Sequence, residues 1–549
     1  MWLRTRAGPI AATAAGLIEI LYFYRGFFFT RFTYVQGDAA DGRLTSFLGT
    51  HWLDPFRWGS WQDTGMFYPL TETIGFSDWM FLNGMLSAPF AMLGIADEVA
   101  FQWSLIVLSA IGYASMVLLL RRGPGVGWPL SIVAGLVFVF GNNVYVASEH
   151  PQLAPVVLLP LLALLTLTAW RRASHRFWWA LLPGLLLGLI LVTAFYIFWY
   201  VLLASAVLGL VGFLYGPTRY QLRSHAARIG ILIAGIAVGT LPFIAVTAPV
   251  YLAALDLGEG QRSTADILYW SLSPKDFGNV STANAAWGWL IDLVYPEDQW
   301  WRAEPSEWAY APSPLVWIGA FVSLGLAFAG RHRLTLWAHA AVAGLITGVV
   351  LEVMLLRIGP FFPWAAVAEL PGATAIRALG RLQLVATFLF IIGSATIFHW
   401  WWQRREHRRL VHVAAAFVLV ALVMEQVNLA PMQENGPDRR GALRAISSPP
   451  AQCLTFVVIR PTYPVDLSPP TQIDAMLVSR STGVKTMHGY TGIEPPGWNL
   501  TNSWEPDYRS RISDRISQFD AQEITCGLDL GSRTWLGPEE LQAFLRSGT

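Results

Sequence analysis

The sequence predicts an all-α polytopic membrane protein with about eleven transmembrane helices and a small α/β domain at its C-terminal end. Of the 549 residues, 54% are hydrophobic and 13% are charged, whereas soluble domains carry about 25% charged residues. Apolar runs of about 20 residues, long enough to cross a bilayer, recur as far as residue 428. Beyond it, proline, glycine and charge replace these runs in "APMQENGPDRRG". We therefore expect a transmembrane domain over 1–428 and an α/β domain over 429–549.

Each expected span is a run of mostly apolar residues. The spans are expected at 9–30, 99–120, 127–142, 152–170, 177–195, 197–215, 228–250, 314–330, 335–356, 382–400 and 410–428. Segment 80–96 is also apolar, but it is short and contains Asn83 and Pro89. We interpret it as an interfacial or re-entrant helix rather than a span.

The distribution of lysine and arginine predicts the orientation, because cytoplasmic loops are enriched in these residues. If the N-terminus is cytoplasmic, eleven spans place all the basic clusters on the cytoplasmic side. The clusters lie at 4–6, 121–122, 170–176, 218–228, 331–333 and 403–409. Most polar residues then face outward, in loops over 31–98, 140–153, 251–313 and 357–381 and in the tail from about 429. Functional residues are expected there.

The two cysteines, Cys453 and Cys526, stand in the segments "CLTFVVIR" and "QEITCGLDL". The β-branched and apolar residues of these segments predict two strands. In an oxidising outer compartment the two cysteines would form a disulfide. The alternative is a pair of buried free thiols, since free cysteine is often buried. So few cysteines exclude a disulfide scaffold and a cysteine-rich metal site.

Two aspartates, Asp38 and Asp41, follow the first span in "YVQGDAADGRLTSFLGTHW". An ionised aspartate held in a fixed geometry can act as a general base toward a hydroxyl. Two carboxylates can also bind a divalent cation such as Mg²⁺ or Mn²⁺. The same pattern fits an aspartate N-cap that opens a polar helix. Many aromatic residues follow in this loop, and their rings suit either packing against sugars or a belt at the membrane interface.

Further candidate residues are spread over the predicted outer face. Arg377 and Arg381 stand four residues apart, which on a helix places them on one face, and arginine matches the geometry of phosphate. Arg262 is a third phosphate candidate, and His150 is a candidate proton donor to a leaving phosphate. The alternatives are arginines that snorkel to lipid headgroups and a structural hydrogen bond for His150.

Ionisable residues inside a membrane are costly, and Glu352 is one of the few within the expected spans. It lies near the outer end of its span, so we expect it to line the site. The sequence contains no Walker loop and no G-x-S-x-G, H-E-x-x-H or C-x-x-C motif. ATP hydrolysis and protease chemistry therefore have no support, and a net charge of +1 gives no indication of nucleic-acid binding.

An inward N-terminus, one span, a large outer loop that opens with an acidic residue and a bundle of many spans together resemble the GT-C superfamily of integral membrane glycosyltransferases. The motifs "GDAADGR", "FYPLTETIGFSD", "EHPQL", "IRALGRL" and "HGYTGIEPP" also resemble YfhO-like bacterial membrane glycosyltransferases. The resemblance covers most of the chain through short motifs. It implies a GT-C fold, a sugar linked to polyprenyl phosphate as donor, and an acidic residue of the first outer loop as catalytic base.

By this resemblance, Asp38 is the catalytic base, and Asp41 is its partner or a metal ligand. The resemblance also implies that Arg377 and Arg381 hold the donor phosphate, and from the sequence pattern we expect Arg262 and His150 to join them. The residues expected to line the acceptor or sugar side are Asp78, which matches a second acidic position, and His51, Tyr68 and Glu352. No D-x-D or adjacent D-E pair follows the first span, as it does in some families, so the metal requirement stays open.

The expected function is transfer of a sugar, with inversion, from a polyprenyl-phosphate donor to an acceptor hydroxyl of an envelope glycan, lipid or protein. The expected place is the periplasmic face of a bacterial inner membrane. Two alternatives remain. A lipid or glycan transporter would show internal repeats or paired ionisable residues at mid-membrane, and neither is evident. A noncatalytic assembly factor would use the outer loops for docking and would tolerate the loss of Asp38.

Overall fold

Most of the described chain is helical, and its long apolar helices coincide with the apolar runs of the sequence. The computed structural model describes residues 2–34, 40–256, 263–404, 409–430, 443, 445–460 and 468–547. The helices of the first half are α1 (Trp2–Phe23), α2 (Arg25–Phe29), α3 (Asp41–His51), α4 (Phe81–Met92), α5 (Asp97–Arg122), α6 (Trp128–Val139), α7 (Asn142–Ala147), α8 (Leu159–Arg171), α9 (Arg176–Leu191), α10 (Phe195–Leu214), α11 (Gly216–Ser224) and α12 (Ala226–Asp256).

The second half continues with helices and then a small sheet. Its helices are α13 (Thr264–Tyr269), α14 (Gly288–Val294), α15 (Trp300–Ala303), α16 (Pro314–Ala329), α17 (Leu336–Leu355), α18 (Trp364–Ala368), α19 (Gln383–Trp402), α20 (Arg409–Met424), α21 (Ser468–Thr482), α22 (Tyr508–Gln518) and α23 (Pro538–Arg546). Its strands are β1 (Thr455–Arg460), β2 (Lys485–Thr486), β3 (Thr525–Asp529) and β4 (Thr534–Leu536).

Among the described residues, seven helical segments are long and apolar enough to cross a membrane. They are Asp97–Arg122, Trp128–Ala147, Pro151–Arg171, Phe195–Leu214, Ala226–Asp256, Leu336–Leu355 and Leu379–Trp402. Four shorter apolar helices match the other expected spans, at Ala7–Phe23, Arg176–Leu191, Pro314–Ala329 and Arg409–Met424. The total of eleven spans and their orientation remain predictions. Helix α4 has 12 residues, so segment 80–96 is helical but shorter than a span.

The outward faces of these helices are apolar. On α12, the side chains of Ile233 and Leu241 are 60% and 58% exposed. Soluble monomers rarely expose large apolar surfaces, so this face suits a lipid environment. The long apolar helices and their exposed apolar faces together indicate a multi-pass membrane protein.

The chain divides into two compact units. The first comprises Met1–Phe28, Leu105–Ile244 and Arg262–Pro431, and the second comprises Phe29–Ser104, Ala245–Gln261 and Met432–Thr549. The first unit therefore holds most of the apolar helices and the long loop. The second joins the first loop to the tail, an association that the linear sequence did not suggest.

Glycines allow the close approach of α17 and α19 inside the first unit. A Cβ atom added at Gly348 would come within 2.5 Å of the ring of Phe390, and one added at Gly393 would come within 2.6 Å of Leu345. Small residues of this kind bring membrane helices together because van der Waals packing then replaces the missing hydrophobic driving force. Larger residues would separate these two helices.

The tail contains a four-stranded sheet in the order β2-β1-β3-β4. Strand β1 is parallel to β2 and to β3, whereas β4 is antiparallel to β3. Strands β1 and β3 confirm the two strands predicted from the sequence. Strands β2 and β4 contain only two and three residues, too few to show an alternating pattern.

The first loop covers the edge of this sheet at β2. The backbone N–H of Thr486 donates to the carbonyl of Gly65 at 2.9 Å, and the N–H of Tyr68 donates to the carbonyl of Thr486 at 2.9 Å. The backbone N–H of Phe67 donates to the backbone carbonyl of His488 at 3.0 Å. Unpaired strand edges invite aggregation, and these hydrogen bonds close the edge within the unit.

A buried ion pair joins the first loop to the tail. Arg43 on α3 donates through Nη2 to Asp474 Oδ1 on α21, and both side chains are nearly inaccessible to solvent. Arg480, further along α21, donates to the backbone carbonyl of Thr50 near the other end of α3. Helices α3 and α21 are therefore joined at two points.

The predicted disulfide between Cys453 and Cys526 is present. The two Cα atoms are 5.5 Å apart, and the bond closes a sequence separation of 73 residues. It links Cys453, two residues before β1, to Cys526 within β3, and both cysteines are buried. The pairing confirms the disulfide and excludes the alternative of two free thiols.

The Asp474→Asn variant is expected to lower the free energy of unfolding by about 3–5 kcal/mol, because it removes the carboxylate that neutralises the buried Arg43. Asp507→Asn is the matched control, since Asp507 pairs with Arg511 while remaining 64% exposed. Exposed pairs contribute about 0–1 kcal/mol. Thermal denaturation of the purified full chain in detergent measures both. Equal melting temperatures for the two variants would contradict the expectation.

Reduction of the disulfide is expected to lower the free energy of unfolding of the tail by about 4 kcal/mol, because the bond restricts the unfolded chain across 73 residues. Urea denaturation followed by tryptophan fluorescence, with and without a reductant, measures the difference. The Cys453→Ser, Cys526→Ser double variant is the control and should show no response to the reductant. An identical midpoint for the oxidised and reduced wild-type chain would rule the expectation out.

Candidate functional site

Asp41, one of the two acidic residues predicted to do the chemistry, belongs to the second unit. Asp38 lies outside the described residues. Asp41 is the first residue of α3, directly after Ala40 at the N-cap position. A carboxylate in the first turn of a helix is stabilised by the helix dipole. A helix therefore begins here, as the sequence suggested. Its N-cap residue is Ala40, which makes no side-chain cap, and Asp41 is the first helical residue and not the cap.

The tail contributes a tyrosine to this carboxylate. The hydroxyl of Tyr490 donates to Asp41 Oδ1 at 3.3 Å, across 449 residues of sequence. Tyr490 belongs to "HGYTGIEPP", one of the motifs that carried the family resemblance. The sequence offered no reason to assign it a partner in the first loop.

The residue two positions earlier, His488, holds this motif in place. Its Nδ1 donates to Gln472 Oε1 at 2.7 Å, while its Nε2 accepts from the backbone N–H of Val458 at 2.8 Å. Burial lowers the pKa of His488 to about 3, so the ring is neutral at pH 7. His488 is therefore a structural link between β1 and α21, and its two ring nitrogens are both engaged.

His51 has a structural role as well. It is buried at the end of α3, and its Nε2 donates to the carbonyl of Trp61 at 2.9 Å. Burial lowers the pKa of His51 to about 4, so the imidazole does not carry a proton at pH 7. The ring closes the turn of the first loop, and its proposed place beside an acceptor stays a prediction.

Asp78 and Tyr68 lie elsewhere in the same unit. Asp78 is half-buried and follows Ser77, whose carbonyl accepts from Tyr251 of α12 at 3.3 Å. Trp79 on the other side packs against the ring of Tyr251 with 5.7 Å between centroids. Tyr68 is half-buried beside the sheet edge described above. The backbone around Asp78 is thus held from both sides.

In the first unit, Arg381 lies in a buried charge cluster. Its Nε donates to both carboxylate oxygens of Glu307, at 3.1 and 3.0 Å, and its Nη2 donates to Glu307 Oε1. His150 Nε2 lies 3.1 Å from the same Oε1. Burial alone would raise the pKa of Glu307, but the charges of Arg381 and His150 hold it below its ordinary value. Glu307 is therefore ionised at pH 7.

The segment that carries both predicted phosphate ligands is not a helix where the sequence suggested one. Arg377 lies in irregular backbone, Arg381 lies in the short 3₁₀ segment Leu379–Leu382, and α19 begins only at Gln383. The prediction that the two arginines share a helical face is therefore wrong. Arg377 is exposed, whereas Arg381 is buried.

Aromatic side chains of α10 impose this irregular path. The hydroxyl of Tyr196 donates to the carbonyl of Ala375 at 3.2 Å and accepts from the N–H of Arg377 at 3.2 Å. The hydroxyl of Tyr200 donates to Ala378 at 3.0 Å. Because the backbone groups are satisfied by these side chains, the segment needs no helical hydrogen bonds.

The exposed Arg377 rests on an aromatic platform. Its guanidinium carbon lies 5.6 Å from the ring centroid of Trp270, and Trp270 stacks on Trp308 with 4.5 Å between centroids. Arg302 lies over Trp308 at 4.9 Å, and its Nη1 donates to Asp276 at 3.0 Å. A guanidinium stacked on a ring keeps its N–H groups directed outward in its plane, where they can bind a planar or tetrahedral oxyanion.

Two further predicted site residues are Arg262 and Glu352. Arg262 lies outside the described residues. Glu352 is buried within α17, where its Oε2 accepts from Gln383 Nε2 at 3.1 Å. The hydrogen bond between Glu352 and Gln383 is thus part of the packing between α17 and α19. No other hydrogen bond among the described residues supports the expectation that Glu352 lines the site.

The structure therefore brings His150 and Arg381 together through Glu307, and it brings Asp41 together with Tyr490. Sequence reasoning missed both Glu307 and Tyr490. Glu307 stands in "QWWRAEPSEWAY", which drew attention only to its aromatic residues. The sequence marked Glu307 only as a carboxylate among aromatic residues on a predicted outer loop. That pattern does not identify the residue with which the carboxylate pairs.

No group of three or more histidine, cysteine, aspartate or glutamate side chains in the described part of the chain is arranged to hold a metal ion. The predicted cation pair needs Asp38, whose position is not described. A divalent cation at Asp38 and Asp41 therefore stays a prediction.

A scan against protein-family models gives no match, and a search of curated proteins gives none either. Among solved structures, the chain is similar to the arabinofuranosyltransferase AftD from Mycobacteria, with 12% identity and a TM-score of 0.49 over 97% of this chain. It spans 36% of the length of that protein. It is also similar to the oligosaccharyltransferase of Archaeoglobus fulgidus, with 11% identity and a TM-score of 0.49 over 96% of this chain and 70% of that one.

Proposed function

We propose that the chain is a membrane glycosyltransferase of GT-C type, close to the YfhO-like proteins, that moves a sugar from a polyprenyl-phosphate donor to an acceptor hydroxyl. The observation that carries the proposal is the exposed guanidinium of Arg377 on its platform of stacked tryptophans. Such a surface suits a sugar phosphate, because the exposed guanidinium can bind the phosphate while the half-buried ring of Trp270 holds it in place. We place this surface on the periplasmic side of a bacterial inner membrane, in agreement with the positions of the basic loops.

Arg377 and Arg381 have different roles in this proposal. Arg377 binds the donor phosphate directly, since its guanidinium is exposed. Arg381 is occupied by Glu307 through Nε and Nη2, so it positions the segment that carries Arg377. His150 reaches the same carboxylate and completes the support. Arg262 is kept as a second phosphate ligand in the proposal.

The chemical step needs a base on the acceptor side. Asp38 removes the proton of the acceptor hydroxyl, and the oxygen attacks the anomeric carbon with inversion. The bond between that carbon and the phosphate oxygen breaks, and its electron pair leaves on the polyprenyl phosphate. Arg377 stabilises the negative charge that develops on this leaving group. Asp41, Asp78 and Tyr68 line the acceptor side in this proposal.

A divalent cation bound by Asp38 and Asp41 remains part of the proposal. Such a cation would supply additional positive charge for the donor phosphate. The steps above depend only on the side chains of the chain itself.

The Asp38→Asn variant is expected to lower sugar transfer by about 10²–10⁴-fold, because an amide cannot accept the proton of the acceptor hydroxyl. Mass spectrometry of envelope glycans from host cells, at matched protein levels, measures the loss of one sugar. Asp54→Asn is the control, since Asp54 belongs to the same loop and is 56% exposed in an ion pair with Arg57. Unchanged glycans in the Asp38→Asn strain would refute the proposed base and favour a noncatalytic role.

The Arg377→Gln variant is expected to raise the amount of donor needed for half-maximal transfer by about 10-fold or more, because charge-assisted hydrogen bonds contribute about 1.5–3 kcal/mol. The Arg377→Lys variant keeps the positive charge but loses the planar guanidinium. The amount of donor that it needs for half-maximal transfer should lie between the values of the wild type and of Arg377→Gln.

The assay adds lipid extract of the host, which carries the donor, to membranes that contain each variant. Arg357→Gln is the control, because Arg357 is also exposed on the predicted outer face and donates to the carbonyl of Leu268. Equal responses of the Arg377 and Arg357 variants would argue against Arg377 as phosphate ligand.

A further inference from the structure

The second unit contains a contact between the tail and the first loop that the proposed function does not use. The phenol of Tyr490 donates to Asp41 Oδ1 at 3.3 Å. We propose that Tyr490 is a positioning residue for Asp41, so that the tail completes the acceptor side of the site. This inference rests on the proposed function for its effect on transfer, whereas the positioning itself is a structural claim that can be tested alone.

The tail delivers Tyr490 on a rigid segment. His488 is fixed through both ring nitrogens, to Gln472 and to the backbone of Val458. Gly489 lies against the ring of Phe67, where an added Cβ atom would come within 2.3 Å. A glycine is therefore required between His488 and Tyr490, and the tyrosine has little freedom to reach any other place.

The first loop is held equally firmly on its side of the contact. Arg43, two residues after Asp41, forms the buried ion pair with Asp474 of α21. Arg480 of the same helix binds the carbonyl of Thr50, close to the C-terminal end of α3. These two contacts fix the axis of α3 against the tail, and the bond from Tyr490 then fixes the carboxylate at the start of the helix.

Alternative explanations for the tyrosine account for less. A tyrosine that served only to fill space could be replaced by phenylalanine at no cost, yet here the hydroxyl meets a carboxylate. A phenol is a suitable donor for this purpose, because it is neutral at pH 7 and its hydrogen bond favours the ionised form of the carboxylate. The geometry therefore assigns the hydroxyl, rather than the ring, to the control of Asp41.

The test compares two variants of the full chain that each lose one phenolic hydroxyl in the tail. Tyr490→Phe removes the bond to Asp41. Tyr508→Phe is the matched control, because the hydroxyl of Tyr508 is buried and donates to the carbonyl of Val458 at 2.9 Å, away from α3. Hydrogen–deuterium exchange of the purified protein measures the exchange rates of the backbone amides of residues 44–46. These amides donate the first hydrogen bonds of α3.

Exchange at 44–46 is expected to become about 3- to 10-fold faster in Tyr490→Phe, as the loss of one hydrogen bond predicts, and to stay unchanged in Tyr508→Phe. Unchanged exchange in Tyr490→Phe would overturn the positioning claim whatever the activity of the protein. This readout needs no donor and no acceptor, so it remains decisive even if the chain proves not to be a transferase.

The same variants are then assayed for transfer in membranes supplied with host lipid extract. Tyr490→Phe is expected to lower the maximal rate about 3- to 10-fold and to leave the half-saturating amount of extract unchanged, since Asp41 acts on the acceptor side. Tyr508→Phe should alter neither value at matched protein levels. An unchanged maximal rate for Tyr490→Phe, with an active wild-type protein, would overturn the role in transfer while leaving the proposed function intact. Failure of the proposed function is recognised separately, by an unaffected Asp38→Asn strain.

Discussion

A charge that leaves water must meet a counter-charge, and both candidate sites of this protein depend on that constraint. An unpaired buried ion costs several kcal/mol, so removal of one partner is far more harmful than replacement of both. In the first unit, Glu307 meets Arg381 and His150. In the second, Arg43 meets Asp474. Each pair fixes the relative position of segments that are distant in sequence, and each lies next to a residue to which we assign chemistry.

The Glu307 cluster explains why two similar arginines lie in different environments. Arg381 is drawn inward by the carboxylate, and the tyrosines of α10 satisfy the backbone between it and Arg377. The chain therefore follows an irregular path, on which a residue four positions earlier faces solvent. Arg377 is left exposed beside Trp270. In the proposed function this arrangement is preorganised, because the ring of Trp270 holds the guanidinium in place before a ligand binds.

The Arg43–Asp474 pair has a comparable effect in the second unit. It makes the tail a structural component of the first loop, rather than an appended domain, and it brings a tyrosine to the carboxylate of Asp41. The sheet edge covered by Gly65–Tyr68 and the disulfide within the sheet add rigidity to the same unit. Some aromatic residues of the first loop, such as Trp79 and Phe67, are buried in this unit, so these rings serve packing and are not available to a sugar.

Hydropathy and local pattern determined the membrane class, the positions of the long apolar helices and two of the four strands, because each depends on residues close together in sequence or on a composition that one segment carries. Strands β2 and β4 were too short to show such a pattern. The sequence alone left the disulfide open beside a pair of free thiols, because its cysteines are 73 residues apart and only the fold brings their Cα atoms to 5.5 Å. The tertiary structure alone decided the partners of the charged groups. Glu307 and Arg381 are 74 residues apart, and Tyr490 and Asp41 are 449 apart. No local pattern encodes such pairings, since they follow from which segments pack together and from the need to neutralise every charge that the packing buries.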